Sequence, residues 1–198
     1  MNSARILVGL LVLLPGLAGA RGAVPPQPVL PETGRTVAVE NFDHRLLARE
    51  IFRETNRVRT SQGRSPFKPE PRLAAAADGQ AALQAIRIHN SHESPLASQA
   101  DPLARVRLTG LPPGTVGENA MSLNARNRET GENYSYRDLA VVIVQAWMDS
   151  PGHRANLLDP KLHFLGCGAR IAYLLPGQAM VYAIQDFYTP AIPSATPP

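Results

Sequence analysis

The chain has 198 residues and a formal net charge of +4 at pH 7, enough length for one domain with a real core. Its 20 basic and 16 acidic residues are scattered, and no basic stripe interleaves with aromatics, which argues against nucleic acid as a partner. Cys167 is the one cysteine, so no intrachain disulfide forms and stability rests on packing.

Arg5 precedes an apolar run over 6–14, followed by Pro15-Gly16 and the small residues Ala18-Gly19-Ala20. This is the layout of a secretory signal peptide over 1–20, with Ala23 as a second cleavage point, and it is too short to span a bilayer well. The mature protein is therefore expected to be secreted or extracytoplasmic, periplasmic or extracellular. No later segment is apolar and long enough for a membrane span. The proline-containing stretch 21–41 reads as a linker and the Pro-, Ala- and Ser-rich 189–198 as a frayed tail, leaving a folded domain over 42–188.

Asp43 is placed to cap a first helix ending near Ser61, with Gly63 as its stop. Leu47, Ile51, Thr55 and Val58 recur at helical spacing along it. Asn56 and Arg59 near its end read as partners in end-of-helix hydrogen bonds. The basic run over 53–64 includes Glu54 and reads as a solvated helix face. An alanine-rich second helix is predicted over 71–88, whose small side chains allow close approach to a neighbour. His92 falls in the loop beyond it. A short helix over 102–109 is closed by Gly110. Pro112-Pro113-Gly114 then turns the chain into Val116-Gly117-Glu118-Asn119-Ala120, and 124–133 is a polar exposed loop. Ser135 and Asp138 form a Ser-x-x-Asp capping box. Behind it, Leu139, Val142, Ile143, Ala146 and Trp147 match the amphipathic helix template. Pro151-Gly152 stops that helix and presents His153 on a turn. The C-terminal region alternates from Leu165 to Tyr173, turns at Pro176-Gly177-Gln178 and returns over 180–187, a β-hairpin. Helices first and a hairpin last make an α+β pattern rather than a parallel βαβ one.

Three polar side chains, His92, Glu118 and His153, are offered from what read as three separate loops. They lie 26 and 35 positions apart, and no short motif joins them: His-Glu-x-x-His, a P-loop and a Gly-x-Ser-x-Gly elbow are absent from the sequence. Each also has an ordinary structural use. His92 can cap the preceding helix, Glu118 can accept backbone N–H groups, and His153 can bond a nearby turn. Cys167, between Gly166 and Gly168, reads as a small buried thiol, with an interchain disulfide as the other option.

The block Trp147 to Leu158, the segment Val116 to Ala120, and Leu165-Gly166-Cys167-Gly168 with Ile184-Gln185-Asp186-Phe187 resemble the CAP superfamily. That group unites the cysteine-rich secretory proteins, antigen 5 and plant pathogenesis-related proteins (the SCP domain), and the chain looks closest to its bacterial secreted branch. The early region, with Asn56, Arg59 and the alanine run after Leu73, fits as well. The resemblance implies a three-layer α-β-α sandwich around an antiparallel sheet. It also implies that His92, Glu118 and His153 converge in a central cleft. In some relatives the equivalent histidines bind zinc or another divalent ion, a chemistry that suits imidazoles and a carboxylate. The usual eukaryotic pattern has a second glutamate three residues after the tryptophan; here that position is Ser150. The eukaryotic disulfides are missing too.

Two functions follow. One is a secreted binding module whose cleft takes a small apolar ligand, a peptide or a cell-envelope component, with or without a divalent metal. The alternative is a metal-assisted hydrolase or peptidase with Glu118 as general base or ligand and the histidines holding the ion. A serine-nucleophile version through Ser91 or Ser150 lacks an oxyanion hole.

Overall fold

The computed structural model describes residues 34–175 and 178–191. The expected signal peptide over 1–20 and the Pro176-Gly177 turn lie outside the described residues, as does most of the expected tail. Within the described residues run α1 (His44–Ser61), β1 (Lys68–Pro69), α2 (Pro71–Arg87), α3 (Pro102–Leu108), β2 (Gly114–Asn124), α4 (Tyr136–Asp149), α5 (Pro151–Leu158), β3 (Phe164–Leu175) and β4 (Gln178–Pro190). The sheet order is β1-β3-β4-β2. The pairs β3–β4 and β4–β2 are antiparallel, and the two-residue β1 runs parallel to the start of β3. With α2 on one face and α1 and α4 on the other, this is the α+β pattern read from the sequence, arranged as the three-layer α-β-α sandwich that the family resemblance implies.

The helices start where their caps direct. Asp43 accepts from the Leu46 N–H at 2.9 Å, and Ser135 Oγ accepts from the Asp138 N–H at 3.1 Å while donating to Asp138 Oδ2 at 2.6 Å. Asp101 caps α3 in the same way, with Pro102 at the first helical position. The helix predicted over 43–61 ends as expected: Gly63 follows with φ +70°, the left-handed conformation that glycine adopts without steric cost.

Alternation along β4 divides the core. Val181, Ala183 and Phe187 join Leu47, Ile143 and Trp147 on the α1/α4 side. Ile184 and Tyr188 face α2 and α3, beside Leu73, Ala77 and Val106. A fully buried side chain of this size contributes about 1.5–3 kcal/mol, so the larger α1/α4 cluster supplies most of the apolar stabilisation. The α2 side is thinner because the helix lies almost on the strand. A Cβ on Gly166 or Gly168 would run into the α2 backbone at Leu73–Ala74 or Ala77–Asp78. Cys167 points the other way and is buried, as expected, with its thiol pKa pushed up by burial.

Three local differences from the sequence reading have physical causes. The last part of the stretch read as linker packs on the domain: Thr36 bridges Ser135, Val37 donates to the Tyr134 carbonyl, and the Val37 side chain is buried in the main core. β4 extends through Thr189 and Pro190, which pair with β2 at Thr115 and Gly114. Asn56 and Arg59 do more than close a helix. Asn56 holds the Phe67 backbone with two hydrogen bonds, of 2.8 and 3.0 Å. Arg59 is buried over the Phe67 ring and donates to the carbonyls of Ser65 and Leu157 at 2.8 and 2.6 Å. It thereby joins the end of α1 to the end of α5.

Candidate functional site at the β2 edge

His92 sits where the sequence places it, in the loop after α2, and that loop is closely held. Ile88 ends α2 in the left-handed region at φ 52°, which is costly for a β-branched residue and sends the chain sharply away from the helix axis. Gln80 and Gln84, both buried in α2, donate to the Ser91 carbonyl at 2.9 and 2.6 Å. From α3, Arg105 donates to the His92 carbonyl at 3.1 Å.

Glu118 does not come from a loop. It lies on β2, opposite Asp186 of β4, with its side chain 1% exposed. One oxygen accepts from His92 Nδ1 at 2.8 Å, and the other accepts from Arg105 at 2.5 Å. A carboxylate only accepts, so His92 carries its proton on Nδ1 and keeps Nε2 for an incoming group. The His92 side chain is 51% exposed. A buried carboxylate thus holds an open imidazole from behind.

His153 is also not on a turn. Pro151 and Gly152 occupy the first positions of α5, where proline is favoured, so the block that reads as a stop starts a second helix instead. The His153 and His92 ring centroids lie 6.4 Å apart. A chain of amides fixes α5 at that distance. Asn156 donates to the Glu118 carbonyl at 3.1 Å and to Asn119 Oδ1 at 3.0 Å. Asn119 donates to the His153 carbonyl at 3.2 Å and to Gln185 Oε1 at 3.1 Å. Gln185 donates to Thr55 Oγ1 at 2.7 Å, which in turn donates to the Ile51 carbonyl. Gly117 makes room for Asn156: a Cβ there would stand 3.2 Å from Asn156 Oδ1.

The two imidazoles are driven apart in charge. The Glu118 hydrogen bond raises the His92 pKa. Burial, then the neighbouring His92, lower that of His153. His92 is therefore the more cationic of the pair and His153 the more neutral. Behind them lies Asp186, fully buried, with no hydrogen-bond partner for either oxygen among the described residues. Burial, then the charge of Glu118, raise its pKa well above the ordinary carboxylate range, while Arg105 opposes them.

All three predicted residues are therefore brought to one edge of the sheet. Arg105 and Asp186 were missed. Nothing in the short run Pro102 to Leu108 separates a buried arginine from a solvated one, whereas a lone acid within the apolar return strand was a readable signal. Ser150 separates α4 from α5, and its carbonyl accepts the Arg154 N–H; Ser91 Oγ accepts the Glu93 N–H. Among the described residues no group of three or more His, Cys, Asp and Glu side chains is gathered to hold a metal ion. Nor is any described helix long and apolar enough to cross a membrane.

Comparison with known proteins agrees with this architecture. A family model described as CAP, the cysteine-rich secretory protein family, matches residues 52–186. The chain is 28% identical over 120 residues to the uncharacterized protein YkwD of Bacillus subtilis (strain 168), covering 61% of this chain and 41% of that protein. An extracellular protein containing an SCP domain from Bacillus anthracis str. Ames superposes with a TM-score of 0.56 at 21% identity, over 82% of this chain and 45% of that one. An outer surface protein from Borrelia burgdorferi gives 0.53 at 11% identity, over 80% and 99% of the two chains. The chain thus spans less than half the length of the two Bacillus proteins. What it shares with the two solved structures is the fold.

Proposed function

We propose, from the premise that this chain belongs to the cysteine-rich secretory protein (CAP) family, that it is a binding protein whose His92–His153 cleft takes an extracellular ligand. The chain is secreted and works outside the cytoplasm, in keeping with the family and with the extracellular relative. Its ligand is a small molecule, a peptide or a cell-envelope component that presents a polar group to the imidazoles. The supporting observation is the half-exposed His92 ring held against a buried, charge-compensated carboxylate, 6.4 Å from a second imidazole. Such an arrangement favours binding, because the His92 ring is held by Glu118 and the helix that carries His153 is held by Asn119 and Asn156 before anything binds.

The donor set fits a divalent cation in one form. His92 and His153 would hold it, and Glu118 would stand behind His92, orienting the ring and raising its basicity, as carboxylate partners of metal-bound histidines do. With only two imidazoles, and no glutamate at position 150, the site is weak and leaves positions for water or for the ligand. The bound ion would polarise a ligand oxygen. Binding the ion requires His92 to surrender its proton, so affinity falls as pH drops. Hydrolysis would need Glu118 to take a proton from water, yet both its oxygens are already engaged by His92 and Arg105, which favours the binding reading.

Calorimetric titration of the purified chain with Zn²⁺ tests this, run beside His92→Ala and His153→Ala. A saturable heat in the parent that is lost in both variants is expected. Equal heats in all three proteins would remove the ion from the reading.

A further inference from the structure

The two imidazoles reach each other around the outside of the sheet. On β2, Ala120 packs with Ala77 and Ala81 of α2, and Met121 packs against the core shared by α1 and α4. Side chains alternate along a strand, so Glu118 points to the α2 face and Asn119 to the α4 face. The first holds the His92 ring and the second the His153 carbonyl. β4 fills the inner side of β2, and no described strand lies on its outer side. Rings that come from opposite faces and stand 6.4 Å apart therefore meet over the outer edge, level with Glu118.

Beyond the rings that edge continues unpaired. Ala191 N–H donates to the Pro113 carbonyl and Ala125 N–H to the Ala179 carbonyl, so odd-numbered residues at both ends of β2 turn their backbone groups to β4. The register between those ends is unbroken, so the N–H and C=O of Glu118, Ala120 and Ser122 turn outward. Asn156 takes the Glu118 carbonyl. The outward groups of Ala120 and Ser122 have no hydrogen-bond partner among the described residues, and Met121, Ser122 and Leu123 are partly exposed. Beside the far end of the strand lies a hollow of about 320 Å³, lined by Leu123, Asn124, Tyr134, Val142 and the turn over 126–129. From Glu118 to Asn124 the strand advances about 20 Å, the length of roughly six extended residues.

The spacing of the free groups selects the occupant. A peptide backbone offers a donor and an acceptor every second residue, at the same repeat of about 7 Å as the outward groups of β2. An acyl chain offers neither, and the hydroxyls of a glycan carry no such fixed repeat. At the imidazoles a carboxylate fits with or without an ion: an imidazolium N–H donates to it, and a cation held between the rings binds it. The charges around the rings do not oppose it. Glu118 is paired with Arg105, and the exposed Glu93 and Arg154, which follow the two histidines in sequence, are opposite in sign.

We propose that the ligand of the histidine cleft is the C-terminal end of an extended peptide, which adds to β2 along Ala120 and Ser122 and places its terminal carboxylate at His92 and His153. This rests on the cleft being a ligand site and names the class of ligand. β2 runs away from the histidines toward Asn124, so a chain that ends at them runs antiparallel to it, the better-bonded of the two pairings. Alternate side chains of the peptide lie toward Leu123 and Val142, the latter 36% exposed on α4.

The test titrates the ¹⁵N-labelled chain with acetyl-Thr-Val-Thr-Val-Thr-Val bearing a free carboxylate, to about 1 mM, within the range of a weak edge-strand interaction. Run beside it are the same peptide as its C-terminal amide, two versions N-methylated at alternate residues (one in each frame), and chitotriose. Saturable shifts and slower hydrogen exchange at the Ala120 and Ser122 amides are expected. Methylation in one frame abolishes binding and in the other leaves it, because only alternate N–H groups face β2. The free acid binds at least about fivefold more tightly than the amide, a difference that His92→Ala erases. Ser122→Pro removes an outward N–H without breaking a bond to β4 and costs about tenfold in affinity. Should that variant misfold, the methylated peptides test the same pairing on the parent chain. Absence of saturable shifts, equal behaviour of the two methylated frames, or an amide that binds as tightly as the acid would each overturn the proposal. So would chitotriose shifting these amides where the peptide does not, or a dimer of the chain paired through this edge that the peptide does not dissociate. The zinc titration uses no peptide, so a null result here with zinc heats that depend on both histidines leaves the cleft standing.

Discussion

Two neighbouring rungs of the β2–β4 ladder point to opposite sides of the sheet and are built on opposite principles. Glu118 faces Asp186 on one rung, and Asn119 faces Gln185 on the next. The first is charged and unevenly satisfied: Glu118 binds Arg105 and His92, while Asp186 lies buried with both oxygens unpartnered among the described residues. The second is neutral, and its amides pass hydrogen bonds from Asn156 through to Thr55. A neutral network of this kind fixes geometry at modest cost. A buried charged cluster is an expensive way to fix geometry alone, and here it is the one that touches the exposed imidazole. The neutral amide network lies on one face of the sheet, and the charged cluster that holds the exposed imidazole lies on the other.

Substitutions can break this contrast. The largest effect belongs to Arg105→Met, which leaves Glu118 without its buried cation and beside an already unpartnered carboxyl. A loss of about 3–5 kcal/mol is expected in denaturant unfolding at neutral pH. On the neutral rung, Gln185→Leu strands one acceptor and one donor, and a smaller loss of about 1–3 kcal/mol follows. If the amide substitution proved the more damaging of the two, the charged rung would not be the costlier one. The subtlest change is Asp186→Asn. The folded Asp186 keeps its proton to higher pH than the unfolded chain does, so the parent loses stability as pH rises above the ordinary aspartate value of 3.8. The loss levels off once the folded carboxyl also ionises. Asparagine has no proton to keep, so its stability advantage grows over that window. A parent and variant with parallel stability–pH curves above pH 4 would show that Asp186 titrates as an ordinary carboxyl.

Much of this was legible in the chain because local rules agreed with the fold. The caps at Asp43 and Ser135, the glycine stop at Gly63 and the alternation leading into β3 each encode their own element. The convergence of His92, Glu118 and His153 was legible only through the family resemblance, since nothing local joins residues so far apart in sequence. The strand around Glu118 was hidden because Gly117, Glu118 and Asn119 break apolar alternation, each being required by the site rather than by packing. α5 was hidden because Pro-Gly punctuates both a stop and a start. Arg105 could not be recognised, since burial of a guanidinium depends on which carboxylate a distant strand brings to it.

The missing side chains at Gly166 and Gly168 reach further than their own contacts. They set how deeply α2 sinks onto β3, and the same rigid rod carries Gln80 and Gln84, which grip the turn before His92. A single methyl group added at either glycine would lift the rod and displace the imidazole at its far end. Tolerance to change is therefore lowest not only around the histidines but also at two featureless positions in the middle of the sheet, where an inventory of reactive groups would find nothing.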